Sequence, residues 1–423
     1  MNIKTTRTIA KVITLSLITS TMIHATNGDN LIAVGTKARG MGGTGIAVSH
    51  GAESGLGNAA LITSVEGTEI AFGGTIFMPD IKTSLAGMPT YTSDADMNMI
   101  PEVSIAHKID DNWYIGIGMW GTAGLGVDYS KAGTNPGGNA NMHMVTNLQL
   151  MQFGVPIAYK TGGLSIAVTP ILQYGNLDID YDGALMVGTT PNSVQAGAGL
   201  AQEFGFGYNI GLAYDFSANG VDGLTLGAIY KSSIEMDYDY QLTTATGPFV
   251  GFNLIPPGAV TDTLEQPEEY GVGIAYEMGQ HTIAFDYKKI KWSNAKGYGD
   301  FGWDDSNVYA IGYQYTENEW TVRLGYNYAD SAVVEQDGST ATGTALNFFN
   351  LLGFPANAER HYTVGASYEV TKAFSVDLAY VYLDKTTDTF DLSYFQNFST
   401  MNPDSITTSH EENSISFQLA YKF

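Results

Sequence analysis

The stretch "SISFQLAYKF", Ser414 to Phe423, decides the fold. Ile415, Phe417, Leu419, Tyr421 and Phe423 fall on one face; Ser414, Ser416, Gln418, Ala420 and Lys422 fall on the other. A repeat of two residues belongs to a β-strand, whose successive side chains point to opposite faces. A strand of a soluble sandwich would carry many charges on its polar face. Here the polar face is small and sparsely charged, and the greasy face carries Tyr and Phe near its end, as an interfacial girdle of a membrane barrel does.

The pattern recurs along the chain. Val322, Leu324, Tyr326 and Tyr328 alternate with Arg323, Gly325 and Asn327; Tyr362, Val364, Ala366 and Tyr368 alternate with Thr363, Gly365 and Ser367. Fourteen such segments lie near 68–78, 100–108, 113–128, 147–160, 163–181, 206–216, 223–242, 266–278, 281–296, 305–316, 318–330, 360–370, 373–388 and 412–423. Short connections such as 110–112, 161–163, 278–280, 317–319 and 371–373 alternate with long ones near 79–99, 129–146, 182–205, 243–265, 331–359 and 389–411. Short turns at one end and long loops at the other predict an all-β, 14-stranded antiparallel outer-membrane β-barrel.

Composition agrees. Beyond residue 25 no apolar run is long enough for a membrane helix, which takes about 20 residues. Residues 1–25 read as a secretory signal: Lys4, Arg7 and Lys11, then the apolar run Val12–Ile23, then Ala25. The chain carries 19 Lys and Arg against 43 Asp and Glu, so nucleic acid, itself anionic, is excluded as a partner. There is no Cys, hence no disulfide and no thiolate metal site. The histidines are isolated, no pair has metal-ligand spacing, and no nucleophile motif is present. "DIDYDG", Asp178 to Gly183, has the composition of a calcium loop but lacks its downstream Glu. The expectation is a protein that is not an enzyme and holds no cofactor and no metal.

A lumen of about 14 strands is too wide for its own wall side chains to fill. The segment "VGTKARGMGGTGIAVSHGAESGLGNAALI", Val34 to Ile62, is Gly-rich and has neither helical nor strand periodicity. It suits a compact plug whose glycines permit tight turns against a crowded wall. The expected organisation is a signal over 1–25, a hatch over 26–66 and a transmembrane barrel over 67–423.

Two long loops are greasier than a solvated loop should be. Phe249 and Phe252 belong to one; Phe348, Phe349 and Leu352 belong to the other. They either cap the barrel or offer an external landing site for an apolar ligand. Basic residues are few, and Arg323 faces the lumen by alternation; with Arg39 and Lys231 it is a candidate partner for a ligand carboxylate. The other reading pairs these cations with lumen acids such as Asp286 and Glu369.

The N-terminal segment resembles the hatch of the FadL family of outer-membrane long-chain fatty-acid and hydrophobic-compound transporters. The family's Gly-rich run corresponds to Gly35–Gly45, with Gly40, Gly42 and Gly43, and its Asn-Pro-Ala corresponds to Asn58, Ala59 and Ala60, the Pro being replaced. "QPEEYGVGIAY" at Pro267 and Glu268, "KIKWSN" at Trp292 and Ser293, and "WTVRLGYNYADSAV" resemble later family motifs in order. The resemblance implies a monomeric barrel embedded in outer-membrane lipid. It also implies capture of a hydrophobic small molecule by the outer loops, passage to a pocket at the hatch, and release sideways through a gap where a strand kinks inward. The third strand holds Gly118, Gly121 and Gly124, and glycines inside a strand often mark a bend; these three are the candidates for the opening. A general porin and a structural or adhesive barrel are the alternatives. A porin would conduct salt freely, and an adhesin would tolerate loss of the hatch.

Overall fold

The computed structural model describes residues 27–132 and 143–423; the signal expected over 1–25 lies outside them. Fourteen strands form the wall: β1 Thr68–Leu85, β2 Asn98–Lys108, β3 Trp113–Asp128, β4 His143–Gly154 continued by Ile157–Thr161, β5 Leu164–Val187, β6 Ala201–Asp215 and β7 Leu224–Lys231. Next come β8 Glu269–Met278, β9 His281–Ile290, β10 Ser306–Glu317, β11 Trp320–Ala329, β12 Arg360–Thr371, β13 Phe374–Asp391 and β14 Ser405–Lys422. Each is antiparallel to the next. β1 pairs with β14 from Glu69↔Lys422 to Leu85↔Ile406, which closes the barrel and leaves no edge. β4 is interrupted at Pro156, which has no N–H to give the ladder.

All fourteen alternating segments are wall strands, but their extents differ in several places. β1 runs on to Leu85 and β5 to Val187, past the expected ends at 78 and 181, while β6 and β14 begin at Ala201 and Ser405, ahead of 206 and 412, so the expected long loops 79–99, 182–205 and 389–411 are partly wall. β7 ends at Lys231 instead of reaching 242, because Ile234–Asp237 leaves the wall to pair with Thr263–Gln266 in a separate two-stranded sheet. β9 ends at Ile290, six residues before the expected 296, where the chain turns into a short 3-10 helix at Trp292–Asn294. On β14 the register is as read: Ile415, Phe417 and Tyr421 are exposed, while Ser416, Gln418 and Ala420 are buried. Ring pairs Trp113–Tyr159 at 4.9 Å and Trp320–Tyr368 at 4.5 Å lie at the short-turn end, where an aromatic girdle belongs. No helix among the described residues is long and apolar enough to cross a membrane.

Residues 27–66 are enclosed by the wall and are almost wholly buried. They hold helix α1 (Thr36–Gly40) and two 3-10 turns, Gly51–Leu56 and Ala59–Ser64. The wall makes room by presenting glycine. A Cβ at Gly325 would stand 2.0 Å from the Gly42 nitrogen, and one at Gly227 would stand 1.9 Å from the Ile46 oxygen. Gly42 itself has φ 72°, favoured by Gly alone, and its N–H donates to Thr363 Oγ1 at 2.9 Å. Backbone thus meets backbone, and no side chain could be accommodated at Gly325, Gly227 or Gly42.

At the long-loop end two helices fold over the mouth: α2 (Gln241–Gly251) and α3 (Ala341–Gly353). Thr340 caps α3 by accepting from the Gly343 N–H at 3.1 Å. Ala345, Phe349 and Leu352 share one buried stripe at helical spacing, which turns the helix inward. Two hydrogen bonds seat its C-terminal turn on the wall, from Thr408 Oγ1 to the Leu351 carbonyl at 2.8 Å and from Thr146 Oγ1 to the Gly353 carbonyl at 2.5 Å.

Candidate functional site

The two greasy loops converge. Phe249 of α2 meets Phe348 and Phe349 of α3, with ring centroids 6.0 and 6.2 Å apart. Below and beside them opens an apolar groove with about 830 Å³ of empty space, part of it open to the outside. Phe249, Phe252, Phe348 and Leu352 all line it, with Leu85 and Leu185 opposite. Phe349 stands one layer deeper, stacked on Phe301 at 4.9 Å, and does not line it. Among the described residues that line the groove, Asp182 and His143 stand 3.2 Å apart.

Beneath the groove the wall is incomplete. β2 and β3 pair from Lys108↔Tyr114 only as far as Glu102↔Trp120. Above that β3 has a bulge at Thr122 on its β4 side, and Ala123–Val127 are buried without alternation. A bulge bends its strand, and here the bend carries the backbone into the lumen. The β2-facing edge so released is taken by the N-terminal segment: the Leu31 N–H donates to the Thr122 carbonyl at 3.3 Å and the Gly124 N–H donates to the Asp29 carbonyl at 3.0 Å. The seam closes again at Asp128, whose carbonyl accepts the Asp94 N–H at 2.8 Å. Between those limits β2 and β3 are joined by no backbone hydrogen bond, and the gap is filled by side chains: Leu31, Phe77 and Ile100 form one buried cluster, and Ile100 packs over Gly121.

Of the three glycines expected at the opening, Gly121 and Gly124 border this unpaired stretch. Gly118 does not: it pairs with Ser104 on one side and Gly154 on the other, and its bare face makes room for Leu56 of the hatch segment.

Asp29 anchors the segment that holds the kink. Its carboxylate accepts from Gln266 Nε2 at 3.3 Å and from the Tyr298 hydroxyl, beside a cage of Trp292, Tyr298 and Trp303. Burial raises its pKa to about 7, and the two side-chain hydrogen bonds only partly offset that. The docked carboxyl therefore keeps a proton that a released one loses between about pH 4 and 7. Docking is strongest in acid, weakens as pH rises toward 7 and is then constant. Amide exchange of residues 29–31, corrected for intrinsic rates, should be slower at about pH 5.5 than at about pH 8. Asp29→Asn should remove the difference, and equal protection in the parent chain at both pH values would contradict the coupling.

The hatch segment is tied to the wall by side chains. Asn58 Oδ1 accepts from the Ala60 N–H at 3.1 Å, and its Nδ2 donates to the carbonyls of Ile46 and Leu212 at 2.7 and 3.0 Å. Ala59 opens the 3-10 turn that follows, and Gly40 and Gly43 lie against Gly365 and the Ile32 carbonyl. The three cations singled out are each engaged. Arg39 Nη2 meets Glu102 Oε1 at 2.6 Å, Lys231 meets Glu269 at 3.2 Å, and Arg323 donates to Gln314 and Ser367 at 2.7 and 2.6 Å. The acids expected to pair with them do something else: Asp286 accepts the Gly45 and Ile46 N–H groups, and Glu369 is exposed. Lys231, with Lys288 and Glu269, lines a second cavity of about 570 Å³ beside Leu31–Val34 and Ile46.

Glu102, Ile100, Thr122 and the aromatic cage were not foreseen. The cage had a signal, four aromatic residues within twelve at Trp292, Tyr298, Phe301 and Trp303; the bulge had none beyond its neighbouring glycines. In the calcium-like stretch Asp178 and Asp180 stand on the outward face of β5. No three His, Asp or Glu among the described residues are grouped to hold a metal ion.

The sequence profile of the family described as "Outer membrane protein transport protein (OMPP1/FadL/TodX)" matches residues 17–423. Outer membrane protein P1 of Haemophilus influenzae is 23% identical over 316 residues, 67% of this chain and 65% of that protein. The long-chain fatty acid transport protein of Escherichia coli strain K12 is 24% identical over 368 residues, 74% of this chain and 80% of that protein. The crystal structure of the Pseudomonas putida toluene transporter TodX superposes with a TM-score of 0.68, covering 94% of this chain and 99% of that one at 18% identity.

Proposed function

Because this chain belongs to the outer membrane protein transport family (OMPP1/FadL/TodX), β-barrels of the Gram-negative outer membrane that carry fatty acids and hydrocarbons, we propose that it is a passive entry route for hydrophobic small molecules. Cargo settles in the groove under α2 and α3, moves down to the seam, and leaves sideways into the membrane between β2 and β3. The observation that carries this reading is the seam itself: a stretch of wall closed by Leu31, Phe77 and Ile100 and by no backbone hydrogen bond between β2 and β3. The straight route is filled by the hatch segment. It would also be the costlier one. Each CH₂ exposed to water costs about 0.8 kcal/mol, on the order of 10 kcal/mol for a chain of around sixteen carbons. A side exit passes apolar cargo from the apolar groove through the apolar seam to lipid without that exposure.

The test begins at the groove. Phe348→Asp puts a charge where the ligand would lie, at a ring packed on other loop residues and away from the wall. Uptake of a labelled hydrocarbon by cells with no other such channel should fall on the order of tenfold. Undiminished uptake by the folded variant would remove the groove from the path.

A further inference from the structure

Resting on that transport reading, we propose that the cargo is uncharged: a hydrocarbon or similarly neutral apolar molecule, with ionised fatty acids excluded. Among the described residues, eight carboxylates are buried against three Lys or Arg side chains. A carboxylate taken out of water is costly unless a cation meets it. The two buried arginines are already committed, and Lys288 donates to the Ile32 carbonyl at 3.4 Å. Arg39 holds Glu102 at 2.6 Å. Arg323 is bonded to Ser367, which is bonded in turn to Asp377. The lumen histidines are also engaged: His361 and His410 face the two oxygens of Glu412 at 3.3 and 3.5 Å, and His50 Nε2 is bonded to the Thr44 carbonyl at 2.8 Å.

The groove is stricter still. Among the described residues no Lys or Arg lines it, and the one acid that does, Asp182, 3.2 Å from His143, disfavours a second anion beside it. The place most favourable to a ligand carboxylate is the second cavity, where Lys231 and Lys288 stand together. There Glu269 already lies 3.2 Å from Lys231, and Asp286 shares the inward face of β9 with Lys288. A fatty-acid head would be a third anion for two cations.

The experiment compares two labelled probes of equal carbon number, tetradecane and tetradecanoate, in cells lacking other hydrophobic-compound channels, at a pH where the acid is ionised. Tetradecane uptake should exceed the channel-free control on the order of tenfold, with tetradecanoate close to that control. Val194 lines the groove from the short strand Thr190–Gly197, which pairs with the outer end of β5. Val194→Lys places a cation there and should raise tetradecanoate uptake severalfold and leave tetradecane unimproved. Equal uptake of both probes by the parent chain overturns the inference and leaves the transport reading standing. Lys231→Met then locates the head-group site if it abolishes tetradecanoate uptake alone. Uptake of neither probe overturns the transport reading and this inference with it.

Discussion

Leucine at Gly325 together with leucine at Gly227 is expected to turn a nearly closed barrel into a conducting one. At both positions the wall touches hatch backbone. A single added carbon would come within 2.0 Å of the Gly42 nitrogen at Gly325, and within 1.9 Å of the Ile46 oxygen at Gly227. Neither neighbour is the end of a flexible side chain, so something larger must move. The wall is the stiffer partner. Gly325 is laddered to Gly312 and Thr363, and Gly227 to Ala213 and Gly273. The hatch segment is held by fewer bonds, chiefly those of Arg39, Asn58 and Asp286, and it should yield. Once displaced, it leaves a lumen that wall side chains cannot fill. Single-channel conductance should rise on the order of tenfold. The barrel should still resist unfolding by detergent at room temperature, since none of its ladders is cut. Unchanged conductance in a folded double variant would mean that the hatch segment does not set the ion path.

The wall was the most legible part of the chain. Period-two alternation reports a lipid-facing side directly, because lipid selects apolar residues at every second position, and all fourteen strands follow from it. The ends of β7 and β9 were not legible. Past Lys231 the alternation continues through Ile234 and Met236, but those residues pair in a side sheet outside the wall, and periodicity does not say which partner a strand takes. The two greasy loops were legible as apolar, and their meeting at Phe249 and Phe348 was not, since it depends on α3 being seated through Thr408 and Thr146, some sixty and two hundred residues distant. The kink was half legible. Glycines pointed to β3, but the bulge falls on Thr122, and the feature that makes a seam is the loss of pairing by β2, a property of the neighbouring strand. Arg39 stood out as a rare cation; its commitment to Glu102 could not be read from residues so far apart in the chain.

The central claim is that cargo leaves between β2 and β3, and one reversible lock tests it. A Cβ built on Gly121 lies 3.8 Å from the Cβ of Ile100. Disulfides span about 3.5–4.5 Å between their Cβ atoms, so the pair Ile100→Cys and Gly121→Cys should bridge the seam at its lower end without moving the backbone. Replacing Ile100 also removes the methyl that lies closest to the new side chain, 2.6 Å away. The chain has no Cys of its own, so no other thiol competes and one bond is made or broken. The measurement is uptake of a labelled hydrocarbon by cells carrying this double variant, before and after a membrane-permeant reductant. The account predicts uptake at the channel-free background while the bridge is intact and recovery to the parent level on reduction. Full uptake through a folded, completely bridged barrel would contradict lateral release.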